Sequence, residues 1–200
     1  MDVRPAHENE ADLPWSWAHL LQAQLLGEDP TSGWRALVVA GVRAGRGVDV
    51  SPAMPAAFVL QWSLEVAAEA GLYAAWQLRG IHDPVDSGLT FAVHPTQGYP
   101  TGARFRALSP APPPAAADGV DLVSANLDTY RRAAVELAAS YHPGVNLGRQ
   151  QRTEMVADVW DAAVARRQGQ PPPARRSCCY IYVLPGAHEC AGCPRRGAAR

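Results

Sequence analysis

The sequence predicts a mainly α-helical protein of the α+β class. Five stretches of the chain repeat apolar residues at the three- and four-residue spacing of amphipathic helices, whereas only two short segments alternate at period two. The four cysteines all fall after residue 177, in a tail that shows neither pattern. We therefore expect a helical domain over residues 1–174 with one small antiparallel β-hairpin, followed by an irregular C-terminal segment over residues 175–200.

The first two helices are predicted from capping residues and apolar stripes. Asp12 can cap a helix that ends at Gly27 and Pro30, and Ser32 can cap a second helix. The stripe of the first helix consists of Leu13, Trp17, Leu20, Leu21 and Leu25, and that of the second consists of Trp34, Leu37, Val38 and Val42. The glycines from Gly41 to Gly47 lack the spacing of a dinucleotide-binding motif, so we interpret them as a flexible loop.

The middle of the chain combines a long helix with a β-hairpin near residues 88–108. Ser51-Pro52 is typical of a helix start, and Gly71 could divide the long helix that follows. Two segments with period-two alternation then flank prolines and glycines that are typical of a turn. Such a hairpin needs helices packed on it to be stable.

Two more helices are predicted after a proline-rich connector at residues 109–118. The fourth helix starts at Ser124 or Asp128 and stops before Pro143, and the fifth opens at Asn146. The inward-facing residues of the fifth helix are Met155, Val156, Val159, Trp160 and Ala163. Most aromatic residues are expected in the core, and Trp160 and Tyr180 are the exceptions to consider because they are close to the cysteines in sequence.

The cysteines form two pairs, Cys178-Cys179 and Cys190-Ala-Gly-Cys193, separated by ten residues. Thiolates are soft, strongly binding metal ligands, and four sulfurs are the usual number for a structural zinc ion or an iron–sulfur cluster. The tail therefore predicts a metal site.

Two other uses of the cysteines fit the sequence poorly. The Cα atoms of Cys178 and Cys179 lie about 3.8 Å apart, which is shorter than the roughly 4.4 Å minimum of a relaxed disulfide. No signal-peptide pattern precedes the chain, so we expect a reducing, cytoplasmic location. A thioredoxin-type dithiol would need a helix after its cysteine pair, but Pro194 directly follows Cys193 and few residues remain.

Zinc remains an alternative to a cluster. Zinc sites commonly take two separated CxxC knuckles, and only Cys190 and Cys193 form one. Neighbouring residues of an extended chain point to opposite faces, so Cys178 and Cys179 reach one zinc ion only through a local kink. A two-iron cluster is larger and tolerates more widely spread thiolates. Geometry thus favours a cluster, and a zinc-stapled binding module stays open.

The tail also resembles a known family. The residues concerned are Arg176-Ser177-Cys178-Cys179-Tyr180, Leu184-Pro185-Gly186 and Cys190-Ala191-Gly192-Cys193-Pro194. They resemble the C-terminal signature of the ferric-siderophore reductases, the FhuF-like family, whose CC-x10-CxxC motif holds a [2Fe–2S] cluster. The upstream part of the chain resembles that family only in the layout of its helices and short strand pair.

The resemblance implies a function and a set of ligands. Cys178, Cys179, Cys190 and Cys193 would hold the cluster, and the protein would reduce siderophore-bound Fe³⁺ to Fe²⁺ by one electron. A ferric siderophore would be its substrate, and a ferredoxin-like protein or a reductase would be its electron donor. His188 could be a further ligand, as in Rieske centres, or an exposed loop residue. The alternative is a non-catalytic iron–sulfur carrier or sensor.

Charge and composition exclude several other functions. The formal net charge is −1, so no basic surface indicates a nucleic-acid partner. The longest apolar stretch is far shorter than a transmembrane helix. All 18 basic residues are arginines, which removes lysine-dependent phosphate sites and Schiff bases. Four arginines flank the cysteines, at positions 175, 176, 195 and 196. They could raise a cluster potential, attract an acidic donor or an anionic chelate, or simply solubilise the chain end.

Overall fold

The computed structural model describes residues 1–7, 12–108, 121–190 and 192–197, and the predicted connector at 109–118 lies outside them. The elements are, in chain order, β1 (Asp2–Pro5), β2 (Trp15–Ser16), α1 (Trp17–Leu25), α2 (Ser32–Arg46), α3 (Ala53–Tyr73), β3 (Thr90–Val93), β4 (Pro100–Phe105), α4 (Leu122–Ser140), α5 (Arg149–Arg167) and α6 (Pro194–Gly197). A π-helical turn at Ala74–Leu78 continues α3, and a 3-10 turn at Ile181–Val183 lies in the tail. The predicted class, mainly helical with a small sheet, is confirmed.

The predicted hairpin is present, but it is the centre of a four-stranded sheet with the order β1-β4-β3-β2. Strands β3 and β4 pair antiparallel, β2 adds antiparallel to β3, and β1 adds parallel to β4. The two outer strands were not predicted because four and two residues are too few to show an alternation. They form only because distant residues offer them a sheet edge, as in the pairing of Val3 with Ala103.

The start of α1 differs from the prediction. Ser16, not Asp12, caps this helix, and its hydroxyl accepts from the His19 N–H at 3.3 Å. The residues before Trp17 instead join the sheet, where Trp15 pairs with Phe91. Pairing with β3 gives the backbone of Trp15 and Ser16 its hydrogen bonds, so the helix cannot begin earlier.

Helix α2 is longer than predicted. Ser32 is its first helical residue and not its cap, because Thr31 occupies the N-cap position and makes no side-chain capping bond. The helix continues through residues 41–46, which we interpreted as a loop. Its end is set by Gly47, which has a φ of 65° and donates its N–H to the Arg43 carbonyl. One position within this helix is occupied by a glycine, Gly41, because the β3–β4 turn passes close to its backbone. A Cβ at this position would lie 2.7 Å from the carbonyl oxygen of Thr96.

Helix α3 is the centre of the molecule. It packs against α2, α4, α5 and the sheet, and most of its residues are buried on every side. Gly71 does not divide it, because α3 passes through this residue without a break. A Cβ at Gly71 would lie at ordinary contact distance from Trp160 and Asn126, so the packing would also accommodate an alanine here.

The last two long helices begin close to the predicted positions. Asp121 caps α4 by accepting from the Val123 N–H at 2.9 Å, so α4 starts two residues before Ser124. Helix α5 starts at Arg149, three residues after the predicted Asn146. In the described ranges, no helix is both long and apolar enough to cross a membrane.

A buried carboxylate joins α3 to the end of α5. Glu69 accepts from Arg166 at 2.7 Å and from two nitrogens of Arg167 at 2.9 and 2.7 Å. Both arginines lie in the last turn of α5, where the helix dipole favours cations, as the sequence predicts. Because Glu69 is only 7% exposed, these bonds are required to offset the cost of burying its charge.

His82 is buried where the π-helical turn meets α4. Its backbone N–H donates to the Asn126 side-chain oxygen at 2.8 Å, and its Nε2 lies 2.9 Å from the Ser87 hydroxyl. Burial lowers the pKa of the imidazole from 6.5 to about 4, against the opposing charge of Asp83. The ring is therefore neutral in the folded protein at neutral pH.

We expect His82 to make the fold sensitive to acid. The unfolded chain binds this proton near pH 6.5 and the folded protein only near pH 4, so the free energy of unfolding falls as the pH drops through that window. The loss approaches about 3 kcal/mol at the acid limit. A His82→Gln variant keeps a polar group towards Ser87 but does not titrate. Its melting temperature should fall less than that of the wild type between about pH 7.5 and pH 5, and parallel profiles would contradict the assignment.

Candidate metal centre

The cysteine segment follows the C-terminal end of α5. Gly169 has a φ of 67°, and the Gln170 N–H returns to the Ala165 carbonyl at 2.8 Å, which ends the helix. After the prolines at 171–173 the chain runs back along α5. Side chains of this helix therefore bind the segment that carries the cysteines.

Asp158 on α5 holds the start of the segment. Its carboxylate accepts from the backbone N–H of Arg176 at 3.0 Å and from that of Ser177 at 2.6 Å. Both Asp158 and Ser177 are buried. A buried carboxylate that accepts two backbone N–H groups fixes the backbone immediately before Cys178.

Gln151 holds the cysteine pair itself. Its amide nitrogen donates to the Cys178 carbonyl at 2.7 Å, and its amide oxygen accepts from the Tyr180 hydroxyl at 2.7 Å. Tyr180 has a φ of 61°, in the left-handed region that few non-glycine residues occupy. In this conformation its N–H points at the Cys178 sulfur, 3.4 Å away. Tyr180 thus contacts Cys178 through its backbone.

The anchors on α5 share one face of the helix. Glu154 binds the Arg176 guanidinium at 3.0 Å and lies between Gln151 and Asp158 in sequence. Residues at i, i+3 and i+7 lie on the same side of an α-helix. One polar face of α5 thus receives the whole first half of the cysteine segment, while Trp160 points into the core and stacks near Tyr130.

The two ends of the segment meet beside Arg175. The Arg175 N–H donates to the Gly192 carbonyl at 2.8 Å. A Cβ on Gly192 would lie 2.8 Å from the Pro173 carbonyl oxygen, so only glycine fits between the last two cysteines. The Cys193 N–H returns to the Cys190 carbonyl at 3.0 Å, which forms the tight turn of a CxxC knuckle.

These contacts bring the four thiols together. All four cysteines are free, and the sulfurs of Cys179 and Cys190 lie 3.8 Å apart. Burial raises the pKa of Cys178, and the neighbouring sulfurs of Cys193 and Cys190 raise it further. The pKa of Cys190 is raised by burial and by Cys179. The raised pKa values of Cys178 and Cys190 oppose their ionisation, and a bound cation would offset this cost, since metal binding releases thiol protons.

Arg175 supplies positive charge at the same place. Its charge acts to lower the pKa of both Cys178 and Cys190. Among the described residues, nothing accepts a hydrogen bond from its buried Nε. A buried guanidinium N–H beside four thiols fits an anionic group held between them.

The arrangement differs from a preformed site for a single ion. In the described part of the chain, no three His, Cys, Asp or Glu side chains form a group that could hold one metal ion, although two of the sulfurs are close. A binuclear cluster is wider than one ion and accepts a more open set of thiols. His188 is exposed at the surface of the segment, in agreement with the expectation of a loop histidine.

The flanking arginines have structural partners of their own. The Arg195 guanidinium lies 4.2 Å from the centre of the Tyr182 ring, and Arg196 donates to the Glu189 carbonyl at 2.8 Å. Arg176 is paired with Glu154. Of these four arginines, only Arg175 acts directly on the sulfurs. The sequence alone does not distinguish Arg175 from the other three.

Sequence reasoning did not identify Gln151, Glu154 and Asp158. Their spacing on α5 is a readable signal, because one helix face carries three polar residues directly before a cysteine motif. However, solvent-exposed helix faces show the same pattern, and the return of the chain along α5 is not visible in the sequence.

We expect an Asp158→Ala substitution to release the start of the segment. The change leaves two buried N–H groups without their acceptor, which should cost about 3 kcal/mol of unfolding free energy. Denaturant titration measures the loss, and trypsin should cleave faster after Arg175 and Arg176. The control is Asp161→Ala, one turn further on and exposed, which should change neither. Equal behaviour of the two variants would show that Asp158 does not hold the segment.

The C-terminal segment matches a known family. A family model described as the FhuF 2Fe-2S C-terminal domain matches residues 175–195. The match includes Cys178, Cys179, Cys190 and Cys193 in the spacing of the motif. No curated protein and no solved structure gives a significant match to the chain. Residues 175–195 thus match the FhuF 2Fe-2S C-terminal domain, which indicates a [2Fe–2S] cluster.

Proposed function

We propose that this protein is a cytoplasmic oxidoreductase that reduces siderophore-bound Fe³⁺ to Fe²⁺. In this proposal Cys178, Cys179, Cys190 and Cys193 are the cluster ligands. The observation that carries it is the coincidence of two findings. The FhuF 2Fe-2S domain matches residues 175–195, and the thiols of that segment lie near the guanidinium of Arg175, whose Nε is buried.

The proposed reaction requires the protein mainly to position the substrate near the cysteine segment. Hard oxygen ligands hold Fe³⁺ tightly and the softer Fe²⁺ much more weakly, so reduction frees the metal and leaves the chelator intact. When bound, the cluster supplies the single electron. The reaction needs no general acid, general base or nucleophile. The chain must therefore hold the substrate near the cysteine segment and set the reduction potential.

The residues around the thiols are suited to raising that potential. The Tyr180 N–H points at the Cys178 sulfur, and the Arg175 charge acts on Cys178 and Cys190. Hydrogen bonds and positive charge near the sulfurs stabilise the more negative, reduced state, whereas burial of Cys179 and Cys193 opposes it. A donor protein with an acidic surface would complement the exposed Arg195 and Arg196 next to Cys193.

The test of the proposal is reoxidation by its substrate. Protein purified without oxygen should contain iron and sulfide in equal amounts, and its visible absorbance should bleach on reduction and return when a ferric siderophore is added. A Cys190→Ser variant should lose the absorbance and the reaction. The control is His188→Ala, two residues away and exposed, which should keep both.

Three outcomes would contradict the proposal. A zinc-containing, colourless protein would indicate a zinc-stapled module. Reoxidation at the same rate by every ferric chelate would indicate an electron carrier. Loss of the chromophore in His188→Ala would show that the ligand set is wrong.

Tyr180 allows a test of how the chain sets the potential. We expect Tyr180→Phe to lower the reduction potential, because the lost bond to Gln151 frees the strained backbone that aims the Tyr180 N–H at Cys178. A spectroelectrochemical titration measures the shift. Tyr182→Phe removes the same hydroxyl from a ring that faces Arg195 and should leave the potential unchanged. Equal potentials in both variants and the wild type would exclude this role for Tyr180.

A further inference from the structure

A cleft lies between α2, the first half of α3, the β3–β4 turn and the cysteine segment. Its volume is about 380 Å³, within the roughly 300–1,000 Å³ of small-molecule sites. We call it the α2–α3 cleft. Its walls include Val42, Met54, Phe58, Trp62, Tyr99 and Ile181.

The cysteine segment forms one wall of this cleft. Ile181 and Leu184 line it, and Ile181 follows Cys179 by two residues. Two residues of chain span at most about 7 Å, so the cleft wall lies close to the backbone of the cysteine pair. A molecule in the α2–α3 cleft therefore contacts the segment that carries the thiols.

The opposite walls are fixed before any ligand binds. The Trp34 indole N–H donates to the Gly98 carbonyl at 2.6 Å, which holds the β3–β4 turn against α2. The ring of Tyr99 stacks on His94 with centroids 5.0 Å apart. Phe58 and Trp62 contact each other on α3 at 5.1 Å. A cleft with preset walls loses little conformational entropy on binding.

The lining indicates the chemistry of the occupant. Phe58 and Trp62 are half-buried and Tyr99 is 41% exposed, so aromatic faces are available to a ligand. The described residues of the lining include one cation, Arg46, and no carboxylate. Such a surface favours a molecule with an apolar face and little net charge. A ligand that carried several charges would find only Arg46 as a charged partner here.

We propose that the α2–α3 cleft is the substrate site and binds the apolar face of a ferric chelate of low net charge. This inference rests on the proposed function and adds the location of the substrate. Three singly charged bidentate groups neutralise Fe³⁺, whereas three doubly charged groups leave a triply negative complex. The lining fits the first kind.

Gly45 provides a variant that fills the cleft without disturbing the fold. It lies in the last turns of α2 and lines the cleft, and a Cβ there would meet no atom within 4 Å. A Gly45→Trp substitution should weaken binding of the gallium complex of a linear trihydroxamate at least tenfold in calorimetry. Gallium cannot be reduced under these conditions, so this measurement is independent of electron transfer.

The matched control is Gly33→Trp. Gly33 lies in the first turn of the same helix, is exposed, also has no atom within 4 Å of a Cβ and does not line the cleft. This variant should bind the gallium complex like the wild type. In both variants the melting temperature, the visible spectrum and the rate of oxidation by ferricyanide should be unchanged. Oxidation by the ferric trihydroxamate should slow only in Gly45→Trp.

The outcomes separate this inference from the proposed function. If Gly45→Trp binds the gallium complex as tightly as the wild type, the substrate binds elsewhere and the inference is overturned, while the proposed function stands. If no ferric chelate reoxidises the wild type, the proposed function fails first. Tighter binding of gallium tris-catecholate than of the trihydroxamate complex would overturn the assignment of low net charge.

Discussion

The cysteine segment owes its shape to the carboxylate of Asp158. A chain with four thiols and many prolines and glycines has few backbone bonds of its own, and the described part of the tail forms only a 3-10 turn and one short helix. The two N–H groups that Asp158 accepts, together with the Gln151 bonds to Cys178 and Tyr180, replace the missing secondary structure. The thiols come together because α5 fixes the backbone around Cys178, and the Arg175 N–H binds the Gly192 carbonyl beside the second cysteine pair.

Helix α5 can do this because it is itself anchored to the core. Glu69 of the central helix α3 binds both arginines at its C-terminal end, and the Tyr130 hydroxyl of α4 donates to the Val156 carbonyl at 2.9 Å. Bonds and packing thus connect α3 through α5 to the cysteine segment. A site whose supporting residues are locked in this way keeps its geometry.

The sheet contributes to the proposed site through its turn. Residues 94–99 cross over α2, where Gly41 lets the backbone approach, and the turn closes one side of the α2–α3 cleft. Thus the sheet, the first helices and the cysteine segment, which are far apart in sequence, share one cleft. The small sheet thus both closes the core, through buried residues such as Phe91 and Phe105, and positions the turn.

The sequence by itself determined the elements with local signals. Apolar periodicity located the long helices, the paired alternation around the 94–99 turn located the hairpin, and the two cysteine pairs located the segment that matches the FhuF 2Fe-2S domain. Each of these depends on residues within one or two turns of each other. The start of α1 was predicted wrongly, since Asp12 and Ser16 offer similar capping chemistry and pairing with β3 selected Ser16.

Tertiary structure alone decided the rest. Strands β1 and β2 exist because a sheet edge is available, Asp158 and Gln151 are anchors because the tail folds back along α5, and Arg175 differs from the other arginines because the ends of the segment meet beside it. The walls of the α2–α3 cleft come from four separate parts of the chain. Such contacts depend on which distant surfaces become neighbours, and this is a property of packing that no local pattern of residues encodes.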